Sequence, residues 1–268
     1  MEKQRRMPVL FTGHGSPMIA LEHNEITETL RRTGEKVIEE FGRPDAILMV
    51  SAHWYTHGSF VQSTPEPKQI YDMYGFPKAL YEVKYPVKGS PALTQEVLEA
   101  LDPDVSVNDS WGLDHGAWTV LVHLFPHGGI PVVQLSVNGD LTAAETFALG
   151  EKLAALRDRK FLIIGSGNVV HNLREVDWDN PDGSPAAKRF DAYISQAVRT
   201  CDTAKVIAYQ EHPDAAYAVP TPDHFLPLLT CLGTAGEDRE HPSVFNEVLN
   251  LGSIAMTGFA WGMDAAEL

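Results

Sequence analysis

Short apolar runs of strand length alternate with helical patterns along this chain, and that alternation limits its fold more than any single motif. Residues 8–12 read as a first strand, stopped by Gly13-His14-Gly15. Asn24 caps a helix to about Phe41, with Ile26, Leu30, Val37, Ile38 and Phe41 as its apolar positions. Residues 46–51, 131–137 and 161–164 are apolar runs of the kind buried on both faces of a parallel sheet. Between them, Ser90-Pro91 opens a helix to Leu101, and residues 117–125 are helical. Thr142 and Glu145 form a capping box for a helix to about Arg157. Ser184-Pro185 opens another to about Cys201, and residues 253–260 read as a last strand. The βαβα order predicts an α/β fold, a three-layer α/β/α sandwich with a mostly parallel central sheet. The 268 residues are expected to form a single domain over 1–268.

Thirty-six acidic residues against 21 basic ones give a formal net charge of -15. Such a surface repels phosphate backbones and anionic lipid, so nucleic acid and membrane are excluded as partners. No stretch approaches the roughly 20 apolar residues of a membrane span. Gly13-His14-Gly15-Ser16 interrupts the apolar run after Phe11, so no leader is read and a cytoplasmic location is expected. Cys201 and Cys231 both fall in predicted helices, as buried free thiols rather than a metal knuckle or a disulfide framework. Residues 63–86 and 202–222 are rich in proline, glycine and aromatics and are expected to be binding loops. The first carries Tyr71, Tyr74, Phe76, Tyr81 and Tyr85.

Five of the eleven histidines sit where a site would be built. His14 follows the first strand, His53 the second, and His171 the strand over 161–164. Ligands of a parallel sheet bind beyond the carboxyl ends of its strands, so these three converge without being close in sequence. His224 follows Thr221-Pro222-Asp223 in a helix-start context. His115 lies between Asp114 and Gly116, with Asp114 placed to orient it. Histidine is the commonest metal ligand, so the set suggests a mononuclear metal enzyme. His23, His57, His123, His127, His212 and His241 are assigned to the surface or to packing. His53 and His57 are four apart in a strand-like context, roughly 13 Å and too far for one ion. Gly165-Ser166-Gly167 is too short for a nucleophile elbow. The chain has no Walker loop, no Gly-x-Gly-x-x-Gly and no His-Glu-x-x-His.

At these residues the chain resembles the class III extradiol ring-cleaving dioxygenases, in particular their small single-subunit 4,5-DOPA dioxygenase branch. The motifs are Gly13-His14-Gly15-Ser16-Pro17, Ser51-Ala52-His53-Trp54 and Trp111-Gly112-Leu113-Asp114-His115-Gly116. Gly165-Ser166-Gly167-Asn168-Val169-Val170-His171-Asn172-Leu173 and Thr221-Pro222-Asp223-His224 complete them, in order from about residue 8 to 260. The resemblance implies an α/β/α sandwich, a non-haem Fe(II) site, and O₂-dependent cleavage of a small-molecule catechol to a muconic semialdehyde. DOPA is one substrate of the family. The resemblance makes His14 and His53 metal ligands and puts His224 in the third-ligand region. Classical members place a glutamate there, completing a two-histidine, one-carboxylate triad. An all-histidine set also suits Zn(II), which is described in isolated members.

His171 corresponds to a further metal ligand in this branch and to the acid/base in the wider family. Ferrous iron needs two positions for the catecholate and one for O₂. His171 is therefore expected to leave the metal, or to sit beside it, when substrate binds. It would then take the second catechol proton, and His115 would hydrogen-bond the bound oxygen. Both count as catalytic residues on this reading. The same histidines would equally serve a zinc-dependent hydrolase acting through metal-bound water. A non-catalytic metal-binding protein is a further alternative. A protein-interaction module rests only on the aromatic segment Tyr71 to Tyr85.

Overall fold

A computed structural model describes residues 5–264. Its strands are β1 (Val9–Gly13), β2 (Ala46–Thr56), β3 (Ser59–Val61), β4 (Val105–Val107) and β5 (Val132–Asn138). They continue with β6 (Phe161–Gly167), β7 (Pro242–Phe245), β8 (Leu249–Asn250), β9 (Ile254–Ala255) and β10 (Gly258–Trp261). One eight-stranded sheet has the order β4-β3-β5-β2-β6-β1-β10-β7, and β8 pairs with β9 apart from it. The central strands β5, β2, β6 and β1 run parallel. Strands β10 and β7 join antiparallel at one side. The helices are α1 (Glu25–Phe41), α2 (Lys78–Glu82), α3 (Pro91–Leu101), α4 (His115–Leu124) and α5 (Ala143–Lys152). After them come α6 (Pro185–Arg199), α7 (Thr203–Ile207), α8 (Ala215–Ala218) and α9 (Leu226–Ala235).

Successive strand residues point to opposite faces of a sheet. In β2, Leu48 and Val50 join one core with Val9, Phe11 and Ile163. Ile47 and Met49 join the other with Leu10, Leu162 and Ile164. Residues of α3, α6 and α9 close the first core, and residues of α1 and α4 close the second. Both faces are covered, which is why these strands read as unbroken apolar runs. The α/β/α sandwich is thus the fold. Asn24 and Thr142 both form capping boxes, each worth about 1 kcal/mol to its helix.

Several elements differ from the sequence reading. The helix from Thr142 stops at Lys152, and a tighter 3-10 turn, Ala154–Arg159, follows. That turn carries Arg157 into the core, where it donates to Met7 O and Ala235 O and pairs with Asp238. Strands β3, β4 and β7 have three or four residues, too few for a readable period. The last predicted strand is two, because the chain passes at Met256 and Thr257 from the β8-β9 pair to the main sheet. Residues 202–222 form short helices rather than a loop. Cys201 is exposed in the left-handed turn after α6, at φ 58°, while Cys231 is buried in α9. Among the described residues, no helix is long and apolar enough to cross a membrane.

Candidate metal centre

The parallel strands deliver their histidines to one edge of the sheet. His14 follows β1 directly, and its backbone N–H donates to Gly167 O at 3.2 Å. His53 lies inside β2, not beyond its end. Val50 pairs with Leu135 and Tyr55 with Val137, so the residues between them bulge out of step with β5. A bulge of this kind re-aims a side chain without ending the strand. His171 comes four residues after β6 and is tied down by its N–H to Ala218 O at 2.9 Å. His224 ends the turn Pro222–His224, and its carbonyl accepts from Asn168 N at 2.9 Å. His115 opens α4. Two glycines make this crowding possible. A Cβ on Gly167 would lie 2.2 Å from His224 O, and one on Gly116 would lie 2.8 Å from His53 Cδ2.

All five rings gather. His14 Nε2 and His53 Nε2 are 3.1 Å apart. The His53 and His115 ring centroids are 3.8 Å apart, and His171 stacks on His224 at 3.4 Å and 5°. His224 lies 5.1 Å from His14 and 5.2 Å from His53 by the same measure. The far nitrogens fix the tautomers. Ser166 Oγ donates to Gly116 O at 2.5 Å, so it accepts from His14 Nδ1 at 3.0 Å. Asp72 Oδ2 stands 3.1 Å from His53 Nδ1, and His224 Nδ1 donates to the Asp223 carboxylate. With the proton on Nδ1, each Nε2 presents a lone pair. Metal-binding histidines are held in this way, by a partner on the other ring nitrogen.

Metal fits this donor set. The Nε2 atom of His224 is buried with no protein partner, a costly state for a polar atom unless a cation satisfies it. Two metal–nitrogen bonds of about 2.1 Å at about 90–110° set their nitrogens about 3.0–3.4 Å apart. The His14–His53 separation of 3.1 Å falls within that span.

The charges agree with it. Burial first, then the neighbouring rings, holds His14 well below the usual imidazole range. Burial likewise lowers His224, against the pull of Asp223, and takes His171 down to about 2. Burial also opposes charge on His53, but Asp72, Asp114 and Asp223 outweigh it and raise this ring. Burial pushes the Asp72 and Asp223 carboxyls up, and hydrogen bonds from histidine pull both far below the usual carboxylate range. Anionic Asp72 and Asp223 thus stand behind His53 and His224, and burial favours the neutral ring at His14, His171 and His224.

The five predicted histidines therefore come together. His57 points outward to Asp140, His123 meets Ile19 O, and His212 packs on Phe190 and Tyr193. Ligand atoms of His14, His53 and His115 lie within 4.8 Å of one another, as do those of His171, Asp223 and His224. Asp114 does not orient His115. It caps α4 through Ala117 N and accepts from Ser51 Oγ and Trp111 Nε1. Asp72 stands there instead: its Oδ1 accepts from the His115 backbone N at 2.8 Å and lies 3.0 Å from Nδ1, without a directed hydrogen bond to the ring. Sequence reasoning missed Asp72. Its signal was a carboxylate inside the aromatic segment already marked as a binding loop.

The histidines line one end of a cavity of about 500 Å³. Residues 8–259 match the family described as the catalytic LigB subunit of aromatic ring-opening dioxygenase. Over 258 residues the chain is 43% identical to the 4,5-DOPA dioxygenase extradiol of Escherichia coli (strain K12), covering 94% of this chain and 93% of that one. It is 34% identical over 257 residues to the 4,5-DOPA dioxygenase extradiol of Beta vulgaris, covering 92% and 95%. The crystal structure of an uncharacterized Escherichia coli K12 protein superposes with a TM-score of 0.80 at 37% identity, over 96% of this chain and 100% of that one. Family members depend on a metal, which accords with the histidine cluster. By sequence along nearly its whole length and by fold, this chain belongs to the extradiol ring-cleaving dioxygenases of the LigB family, on the branch of the 4,5-DOPA dioxygenases.

Proposed function

We propose that the whole chain is one catalytic domain that holds Fe(II) on His14, His53 and His224 and cleaves a catechol with O₂ to a muconic semialdehyde. One observation carries this reading. The Nε2 atoms of His14 and His53 stand 3.1 Å apart, the ring of His224 lies 5.1–5.2 Å from theirs with its Nε2 buried and unpartnered, and Ser166, Asp72 or Asp223 stands at the Nδ1 of each. Bound there, the ion supplies Lewis acidity toward the catechol hydroxyls and a redox path to O₂. The relatives' names give DOPA as their substrate. What carries over to this chain is the catechol ring.

The chain's own groups handle the protons. His171 stacks on His224, and among the described residues no hydrogen bond fixes its ring. Burial lowers its proton affinity and keeps it neutral at rest. The negative charge of a bound catecholate would raise that affinity and make this ring the acceptor of the second proton. An unfixed ring also lets His171 join the ion at rest and leave it for substrate. His115 has Asp72 behind Nδ1 and presents Nε2 beside His53, where it hydrogen-bonds oxygen on the substrate. Asp72 positions both a ligand and a proton carrier.

Anaerobic loading with Fe(II), then oxygen uptake against a panel of catechols, tests the reading. The expected result is stoichiometric uptake with a yellow product. Protein loaded with Zn(II), which the all-nitrogen set also suits, is expected to bind catechol without uptake. A colourless product released without oxygen would replace this reading with a zinc hydrolase.

A further inference from the structure

The cavity has two unlike ends. Its inner end holds the histidines and Asp72. The rest is walled by Met73, Phe76, Leu173, Trp178, Leu251 and Ile254. Leu173 is 69% exposed and Trp178 is 77% exposed, so large apolar side chains stand in water at the mouth. Exposed apolar groups gathered at a cavity mark a binding surface. Among the described residues that line it there is no lysine or arginine. Arg174 is exposed beside Leu173 but does not line the cavity. Glu175, Asp177, Asp179 and Asp182 of the mouth segment 173–182 likewise do not line it. The one carboxylate in the wall, Asp72, is already taken up by two histidines.

We infer that the substrate is a catechol whose ring substituent is apolar and uncharged, rather than one bearing a carboxylate. This rests on the ring-cleavage reading above and narrows it. The catechol oxygens go to the histidine end, so a substituent across the ring lies along the apolar wall. An alkyl group is favoured there by burial. A carboxylate in the same place gives up water and gains no cation. The carboxylate of DOPA's side chain therefore finds no cation in this wall.

The test compares 4-ethylcatechol with 3-(3,4-dihydroxyphenyl)propionate on the Fe(II)-loaded full chain. The expected kcat/KM ratio is about tenfold or more in favour of the ethyl compound. Equal or better turnover of the carboxylate would overturn the proposal. Leu173→Arg, at an exposed position, is expected to raise kcat/KM for the carboxylate several-fold, and no gain counts against it. A second readout needs no turnover. Anaerobic quenching of tryptophan fluorescence, taken as the difference between wild type and Trp178→Phe, gives Kd for the same pair. If neither compound consumes oxygen, the ring-cleavage reading fails. The Kd ratio still decides the substituent, and tighter or equal binding of the carboxylate sinks it.

Discussion

His53 lies inside β2 and His57 one residue past its end, and each has an aspartate oxygen at Nδ1. Asp72 is at 3.1 Å from His53, and Asp140 at 2.8 Å from His57. Both rings are raised above the usual imidazole range, His53 against the opposition of burial and His57 chiefly by its hydrogen bond to Asp140. Their side chains are 19% and 97% exposed. The other nitrogen makes the difference. Nε2 of His53 faces His14 at 3.1 Å, while the ring of His57 stands in solvent. A histidine–aspartate pair becomes a metal clamp only where water is excluded and a second ligand faces the free nitrogen. On the surface the same pair is screened and contributes little.

The largest effect expected is at His53 itself. His53→Ala should lose bound metal and with it oxygen uptake, well beyond the about 100-fold reached when an outer partner is lost. Metal analysis beside an uptake assay checks it. His171→Ala should slow turnover by about 10²–10⁴ while the protein keeps its metal, since its loss removes a proton carrier and no required ligand. Co-loss of metal would move His171 to the clamp side of the comparison. Asp72→Asn should weaken metal binding by about 10–100-fold, read by competition with a chelator.

A buried carboxylate with no histidine beside it sharpens the contrast. Asp191 accepts from Thr257 Oγ1, and its other oxygen is buried without a partner. Burial raises its carboxyl from 3.8 to about 6, with Glu247 adding to the shift and Arg199 opposing it. The native state then holds more protons than the unfolded chain between about pH 4 and 6. Stability falls as pH rises through that window. Asp191→Asn should remove this loss and raise stability at pH 7.5 by on the order of 1–3 kcal/mol, with a smaller gain at pH 4.5. Urea unfolding of both proteins at the two pH values decides it. The smallest effect belongs to His57→Ala, which should leave Tm and oxygen uptake unchanged. A measurable loss of uptake would break the comparison.

The sandwich was readable because its central strands are long, apolar and separated by capped helices. The five histidines were readable because each sits in a tight motif near a strand or helix terminus. What surrounds them was not. Asp72 lies in an aperiodic segment whose course depends on distant contacts, such as the bridge from Gln69 to Leu113. Asp114 is adjacent to His115 in sequence, yet helix capping claims its side chain. Cys201 read as helical and buried because the apolar pattern of α6 does not show where the helix stops. The short strands β3, β4 and β7 exist because neighbours pair with them, and local sequence carries no trace of that.

The bulge in β2 separates the strand into two lengths of chain that no longer share a count. Up to Ser51 the strand is locked in step with β6, and from Tyr55 it resumes with β5. Side chains alternate faces, so deleting Ala52 swings His53 to the opposite side while leaving Ala46–Val50 in place. The mouth segment 173–182 is built mostly of exposed residues and lies outside the sheet, so it carries no such count. Descendants of this chain are therefore free to change what enters by insertion and deletion at the mouth. The ion-binding floor is open to them only by replacement, one side chain at a time.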